Sequence, residues 1–235
     1  MGRDSGSREM TTNVFIVEGL PGVGKSYFCE MLQHELRERT GDTEIRFFEE
    51  RDSDHPFHCS EDETAGDIWS IDYRDWFRVV ESKCHEFFRG TYRTDRIYIF
   101  DCGPLQRPLF YSMIMSDFSE EETLGHLLRL YGNYQSLPFQ SFYLESANSM
   151  GDFESIYRSR GSDYREHIES VWNTSRYGMK QNLTGMEGAM RVLAHFKELK
   201  ERFLRRLYVS PVIIDNTAKE PAAMRSRIGE ILGTS

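Results

Sequence analysis

The chain has 235 residues, which suits one sizeable α/β domain at the usual ~150 residues per domain, and its 39% apolar and 29% charged residues are those of a water-soluble globular protein. No apolar run approaches the ~18 residues a membrane span needs, and a net charge of -9 argues against a basic face for nucleic-acid phosphates, so neither membrane nor nucleic acid is an expected partner. Any anionic ligand has to be held by local groups. Cys29, Cys59, Cys84 and Cys102 stand far apart with no C-x-x-C pair, which points away from zinc and disulfides and towards a reducing, cytoplasmic compartment.

Residues 1–12 read as a polar, disordered lead-in without the apolar core of a signal peptide, ahead of a single domain over 13–235. Val14, Phe15, Ile16 and Val17 are consecutive and apolar, three of them β-branched, and predict a buried strand. Directly after it, Gly19 to Ser26 fits the G-x-x-x-x-G-K-[ST] pattern at every fixed position. Phosphate oxygens are met there by backbone N–H groups, which requires a chain that side chains do not hold away, hence Gly19, Gly22 and Gly24. Lys25 would reach the β- and γ-phosphates as a point charge, Ser26 would offer its hydroxyl to Mg²⁺, and the following helix would add its positive end. A glycine-rich turn ending by chance in Lys-Ser would show the same letters, but the strand before it and the amphipathic pattern over 27–37 after it supply the required context.

The first helix should stop near Thr40-Gly41-Asp42, and 44–48 reads as a second strand ending on Glu49 and Glu50. A polar stretch to about Asp67 reads as loop, 71–89 as a helix with Gly90 as C-cap, and 97–100 as a strand closed by Asp101. Helices are expected over 109–115 and 120–131, a strand over 140–144, and helices over 153–160, 164–172 and 191–208. A last strand at 212–214 and a helix over 221–232 complete the pattern, with no internal repeat.

Short apolar strands alternating with helices imply a parallel sheet covered on both faces, with ligands at the carboxyl ends of its strands. Gly19, Glu49 and Asp101 all follow a strand directly and should therefore converge on one cleft. Asp101 is placed to help hold Mg²⁺, although a strand-end Asp that caps the turn at Gly103-Pro104 would look the same. Strand alternation sends Glu49 and Glu50 to opposite faces, so one should enter the cleft and accept the proton of an attacking hydroxyl; Glu49 is the preferred candidate, against two solvated glutamates at a loop entrance. Residues 156–165 place Arg158 and Arg160 on a helix that breaks at Gly161, which reads as a lid delivering guanidinium groups to transition-state charge. The plain alternative pairs Arg158 and Arg165 with Glu154 and Glu169 on a solvated face.

From Asn13 to Leu232 the order of these features resembles the deoxynucleoside kinase family, which includes the viral thymidine kinases. The resemblance is carried by Glu18 with the loop Gly19 to Ser26, by Glu49-Glu50, by Ile97 to Asp101, and above all by Phe142-Tyr143-Leu144-Glu145, Ile156-Tyr157-Arg158-Ser159-Arg160-Gly161 and Glu166-His167-Ile168-Glu169. It implies an α/β P-loop kinase fold, a parallel five-stranded sheet flanked by helices on both faces with an arginine-bearing lid, and it allows a homodimer. It further implies ATP and Mg²⁺, a nucleoside substrate phosphorylated at its 5′-hydroxyl in nucleotide salvage, and Glu166 as the residue touching the deoxyribose.

Departures accompany it. The arginine that usually follows the acidic residue of the third strand is here Cys102, for which Arg107 is the candidate substitute, and the proline after the catalytic glutamate is Glu50. Where the family's helix offers a glutamine to the base, this chain has Asp72, Tyr73, Arg74 and Trp76. Trp69, Tyr73, Trp76 and Phe110 would sandwich a base or else belong to the core. The alternatives are a thymidylate-like monophosphate kinase, which needs an extra cation for its acceptor, and a divergent nucleotide-binding module with weak activity. A GTP switch is disfavoured by the absence of N-K-x-D and by Asp101-Cys102-Gly103-Pro104 where D-x-x-G would stand.

Overall fold

With no polar side chain until Glu18, β1 (Val14–Gly19) has no solvent-facing side, and it lies fully buried at the middle of the sheet. The computed structural model describes residues 12–59, 72–207 and 210–233. Among these, β1, β2 (Ile45–Phe48), β3 (Ile97–Asp101), β4 (Phe139–Glu145) and β5 (Val212–Asp215) form one five-stranded sheet in the order β2-β3-β1-β4-β5, and every pairing is parallel. The order reverses at β1, so a crevice opens at its carboxyl end, where the glycine-rich loop begins.

Register decides which side chains share a face. Val17 lies opposite Asp101 and Phe142, and this face is covered by α1 (Lys25–Thr40), whose Phe28 ring sits 5.1 Å from that of Phe142. Ile16 lies opposite Phe100, which stacks on Phe48 with ring centroids 4.9 Å apart. Glu18 shares that second face and meets α8 (Gly185–Arg206) through Lys200. Helices thus cover both faces, and the fold is the P-loop kinase α/β fold.

The expected first helix stops at Gly41, whose N–H bonds back to the Arg37 carbonyl. The expected helix over 71–89 is instead α2 (Tyr73–Glu86), capped by the Asp72 side chain, followed by a π-helical turn over Phe87–Thr91 that contains Gly90. The wider turn brings both Phe87 and Phe88 inward, where each packs on the Phe100 ring. Likewise α3 (Arg107–Phe110) passes into a π turn over Tyr111–Met115. The next helix, α4 (Glu120–Gly132), begins on a capping box between Ser119 and Glu122, an arrangement that contributes about 1 kcal/mol. After β4 come α5 (Ser149–Ser159), α6 (Gly161–Asn173) and the short α7 (Arg176–Lys180); α9 (Pro221–Ile231) follows β5. The four cysteines are buried free thiols. No described helix is long and apolar enough to cross a membrane.

Candidate functional site

The loop after β1 gets its shape from neighbours that leave no room for side chains. A Cβ on Gly22, at φ +90°, would lie 3.0 Å from the Asp152 backbone, and one on Gly24, at φ +93°, would lie 2.8 Å from the Asn216 amide nitrogen, which itself donates to the Val23 carbonyl at 2.8 Å. The loop is therefore clamped between the start of α5 and the turn after β5, with its N–H groups and the head of α1 left to bind an anion. Lys25 is buried, and its ammonium rests on the Leu20 carbonyl at 3.2 Å. Burial opposes its charge, yet the acidic groups around it, Cys102 first and then Glu50, Asp101 and Glu18, hold its pKa above the ordinary lysine value. Burial pushes the Cys102 thiol itself well up, so at neutral pH it is not a countercharge. Next to Lys25, the Ser26 hydroxyl donates to Asp101 Oδ2 at 2.6 Å; two hard oxygen donors side by side at the end of a phosphate loop suit Mg²⁺.

A cleft of about 790 Å³ opens from this loop, lined by Gly22, Gly24, Lys25, Ser26 and Tyr27 on one side. Glu50 and Arg51 after β2, with Gln106 and Arg107 at the start of α3, close its inner end. Glu50 is therefore the glutamate in the cleft, while Glu49 is exposed and lines no part of it. The sequence-based preference for Glu49 is reversed: alternation separates the two side chains as expected, but Glu50 continues the inward face of Phe48. Burial pushes the Glu50 pKa up, but Lys25, Arg107 and Lys200, with a hydrogen bond from Gln106, outweigh it and hold the carboxyl below its ordinary value. It is ionised at neutral pH.

Cys102, at the position where the family resemblance expects an arginine, is buried with a left-handed backbone at φ +83° and its sulfur 3.6 Å from Asp101 Oδ1. It brings no cation. Arg107 does stand in the cleft, with Nη1 3.0 Å from the His58 ring, so a guanidinium is available from the neighbouring helix.

The far wall is aromatic and comes from α3, α6 and α8: Phe110 packs against Trp172 at 5.6 Å and edge-on against Phe196 at 5.1 Å, and Tyr164, His167 and Ile168 complete it. Gly161, at φ +86°, marks the break between α5 and α6 that the sequence suggested. Of Arg158, Arg160 and Arg165, only Arg160 lines the cleft, its guanidinium 5.1 Å over the Tyr164 ring. Arg158 is 67% exposed and pairs with Glu154 at 2.6 Å on the outside of α5, the plain alternative weighed for it. Glu166 also points outward, lining a separate surface pocket with Arg158 and Arg165, and His167 takes the inward place. Trp76 is buried in the core, edge-on to Tyr111 at 4.7 Å, and Tyr73 packs on Tyr111 without lining the cleft itself. Trp69 lies outside the described residues. Gln106, Arg51, His167 and Trp172 had no sequence signal of their own; Gln106 enters the cleft at the start of α3, His167 and Trp172 through the packing of α6, and Arg51 from the turn after β2.

No protein-family model and no curated protein sequence matches the chain. Among solved structures, thymidylate kinase from Candida albicans is similar, with a TM-score of 0.54 at 14% identity over 95% of this chain and 92% of that one. Deoxyadenosine kinase from M. mycoides covers 94% of this chain and 100% of its own at 14% identity and a TM-score of 0.46, and shikimate kinase from Acinetobacter baumannii covers 95% and 92% at 15% and 0.45.

Proposed function

We propose that the chain transfers the γ-phosphoryl group of ATP to the 5′-hydroxyl of a deoxynucleoside. The observation that carries this reading is the ionised Glu50 facing Lys25 in a cleft with a phosphate loop at one end and an aromatic wall at the other. Phosphoryl transfer asks for positioning and charge stabilisation more than covalent chemistry. The loop amides and Lys25 hold the donor phosphates, and Arg160 lies on the lid where it can follow charge onto the γ-phosphoryl oxygens. Ser26 and Asp101 would hold Mg²⁺, which when bound neutralises phosphate charge. Glu50 accepts the proton of the attacking hydroxyl, and the wall of Phe110, Tyr164 and Trp172 offers flat apolar surface to a base.

A monophosphate acceptor is the second reading, favoured by one observation: Arg51 and Arg107 line the acceptor end, whereas Glu166 does not. Against it, an ionised Glu50 would repel an incoming phosphate. ATP consumption across the four deoxynucleosides and their monophosphates separates the two. The hydroxyl-acceptor reading expects turnover with nucleosides, pyrimidines before purines, and little with monophosphates. Efficient phosphorylation of thymidine monophosphate with thymidine and deoxycytidine nearly inert would replace it by the second reading, and no turnover with any of the eight would contradict both.

A further inference from the structure

Lys200 lies in the body of α8 with no exposure to solvent, and nothing in the transfer step above uses it. Burying an ammonium is costly unless its donors are matched, and three acceptors surround this one. It donates to the Gly19 carbonyl at 2.7 Å and to the Gln106 side-chain oxygen, and faces Glu18 Oε2 at 3.6 Å. The other Glu18 oxygen accepts from the Leu105 N–H at 2.8 Å, so one buried cluster ties the end of β1 to the turn that starts α3.

The consequence lies with Gln106. A carboxamide can present either end to a neighbour, and only its partners decide which. With its oxygen held by Lys200, the amide nitrogen is the end left to face outward, and Gln106 lines the cleft beside Glu50. We propose that Lys200 is a positioning residue for phosphoryl transfer, orienting Gln106 so that its amide holds the Glu50 carboxylate in place while the same ammonium anchors Gly19 at the root of the phosphate loop. This rests on the reading of Glu50 as the proton acceptor. Lys25 from the loop, Arg107 from α3 and Lys200 itself also face Glu50, so loss of the Gln106 bond should weaken its hold without abolishing it.

Gln106→Leu leaves the contacts of Lys200 with Glu18 and Gly19 intact. Lys200→Met alone would strand the Glu18 carboxylate in the core, so it is paired with Glu18→Gln. Gln106→Leu should lower kcat about tenfold, the order of one hydrogen bond to a charged group, with KM for ATP within about twofold. It should also raise the acidic limb of the kcat–pH profile by about half a unit or more. Added to Lys200→Met/Glu18→Gln, it should cost less than about threefold further, because the lysine acts through the glutamine. Losses that multiply in full, or a Gln106→Leu enzyme with unchanged kcat and pH limb, would overturn the proposal. A readout free of turnover is the ¹³C carboxyl titration of Glu50, assigned with Glu50→Gln. It should move upward in both Gln106→Leu and the Lys200→Met/Glu18→Gln pair; no movement in either overturns the positioning role. A Glu50 that moves in an enzyme inactive on every acceptor would sink the functional reading and leave the positioning role standing.

Discussion

The floor of the cleft and the lid above it both carry charge, and they hold it in opposite ways. On the floor, Glu18, Lys25, Asp101 and Lys200 are all buried; Glu18, Asp101 and Lys200 each meet a partner on another element, and Lys25 rests on the Leu20 carbonyl of its own loop. On the lid, Arg158, Arg160, Arg165 and Glu166 are exposed, and Arg158 finds its partner one turn away on its own helix. Buried charges are costly to assemble but do not reorganise when a transition state forms, whereas solvated ones cost little and remain free to move. The charges of the floor are fixed in place, and those of the segment above it are left in solvent.

Breaking the floor at its centre should have the largest effect. Lys25→Ala removes the cation surrounded by Glu50, Asp101 and Glu18. It should reduce turnover by about a thousandfold or more while the folded state persists, because a direct contact to developing charge is worth several kcal/mol. Steady-state ATP consumption with circular dichroism as the folding control checks this, and activity within threefold of wild type would remove Lys25 from the reaction.

A smaller effect distinguishes the floor by its stability. His55 is buried between Phe48 and Phe100, and burial, reinforced by Arg107, pushes its pKa down to about 3. Below pH ~6.5 the unfolded chain takes up a proton that the folded chain refuses until about pH 3, so stability should fall with pH through that window. Denaturant melts at pH 6.5 and pH 5 should differ by about 2 kcal/mol from this group, and His55→Leu should lose less over the same interval. An identical pH dependence in the variant would show that His55 is not held neutral.

The smallest effects belong to the lid and sharpen the contrast within it. Arg160→Ala should lower kcat about tenfold with little change in KM, since its contact strengthens only as charge develops. Arg158→Ala should leave kcat within about twofold and stability within about 0.5 kcal/mol, as expected for an exposed pair within one helix. Equal losses from the two would mean that the lid closes in a way that brings both inward.

The parts legible in the sequence were those fixed by local chemistry. The loop from Gly19 to Ser26, the strands and the break at Gly161 each follow from periodicity or from a backbone only glycine tolerates. Illegible were the choices made by tertiary packing. Strand alternation separates Glu49 from Glu50 but cannot say which face is inward; that depends on Phe48 stacking against Phe100 across the sheet. On α6, helical spacing puts Glu166 and His167 about 100° apart, and only the docking of that helix turns the histidine inward. Trp76 shows the same limit, because an aromatic at helical spacing reads alike whether it lines a pocket or fills a core, and the ring of Tyr111 decides for the core.

Whether Glu50 is the proton acceptor of the cleft is decided by kcat of Glu50→Gln beside Glu49→Gln on whichever deoxynucleoside turns over. Glu50→Gln should lose about a hundredfold or more, in the range for removing a general base, with Glu49→Gln within about twofold of wild type. Equal and near-normal rates, or the larger loss at Glu49, would contradict that role.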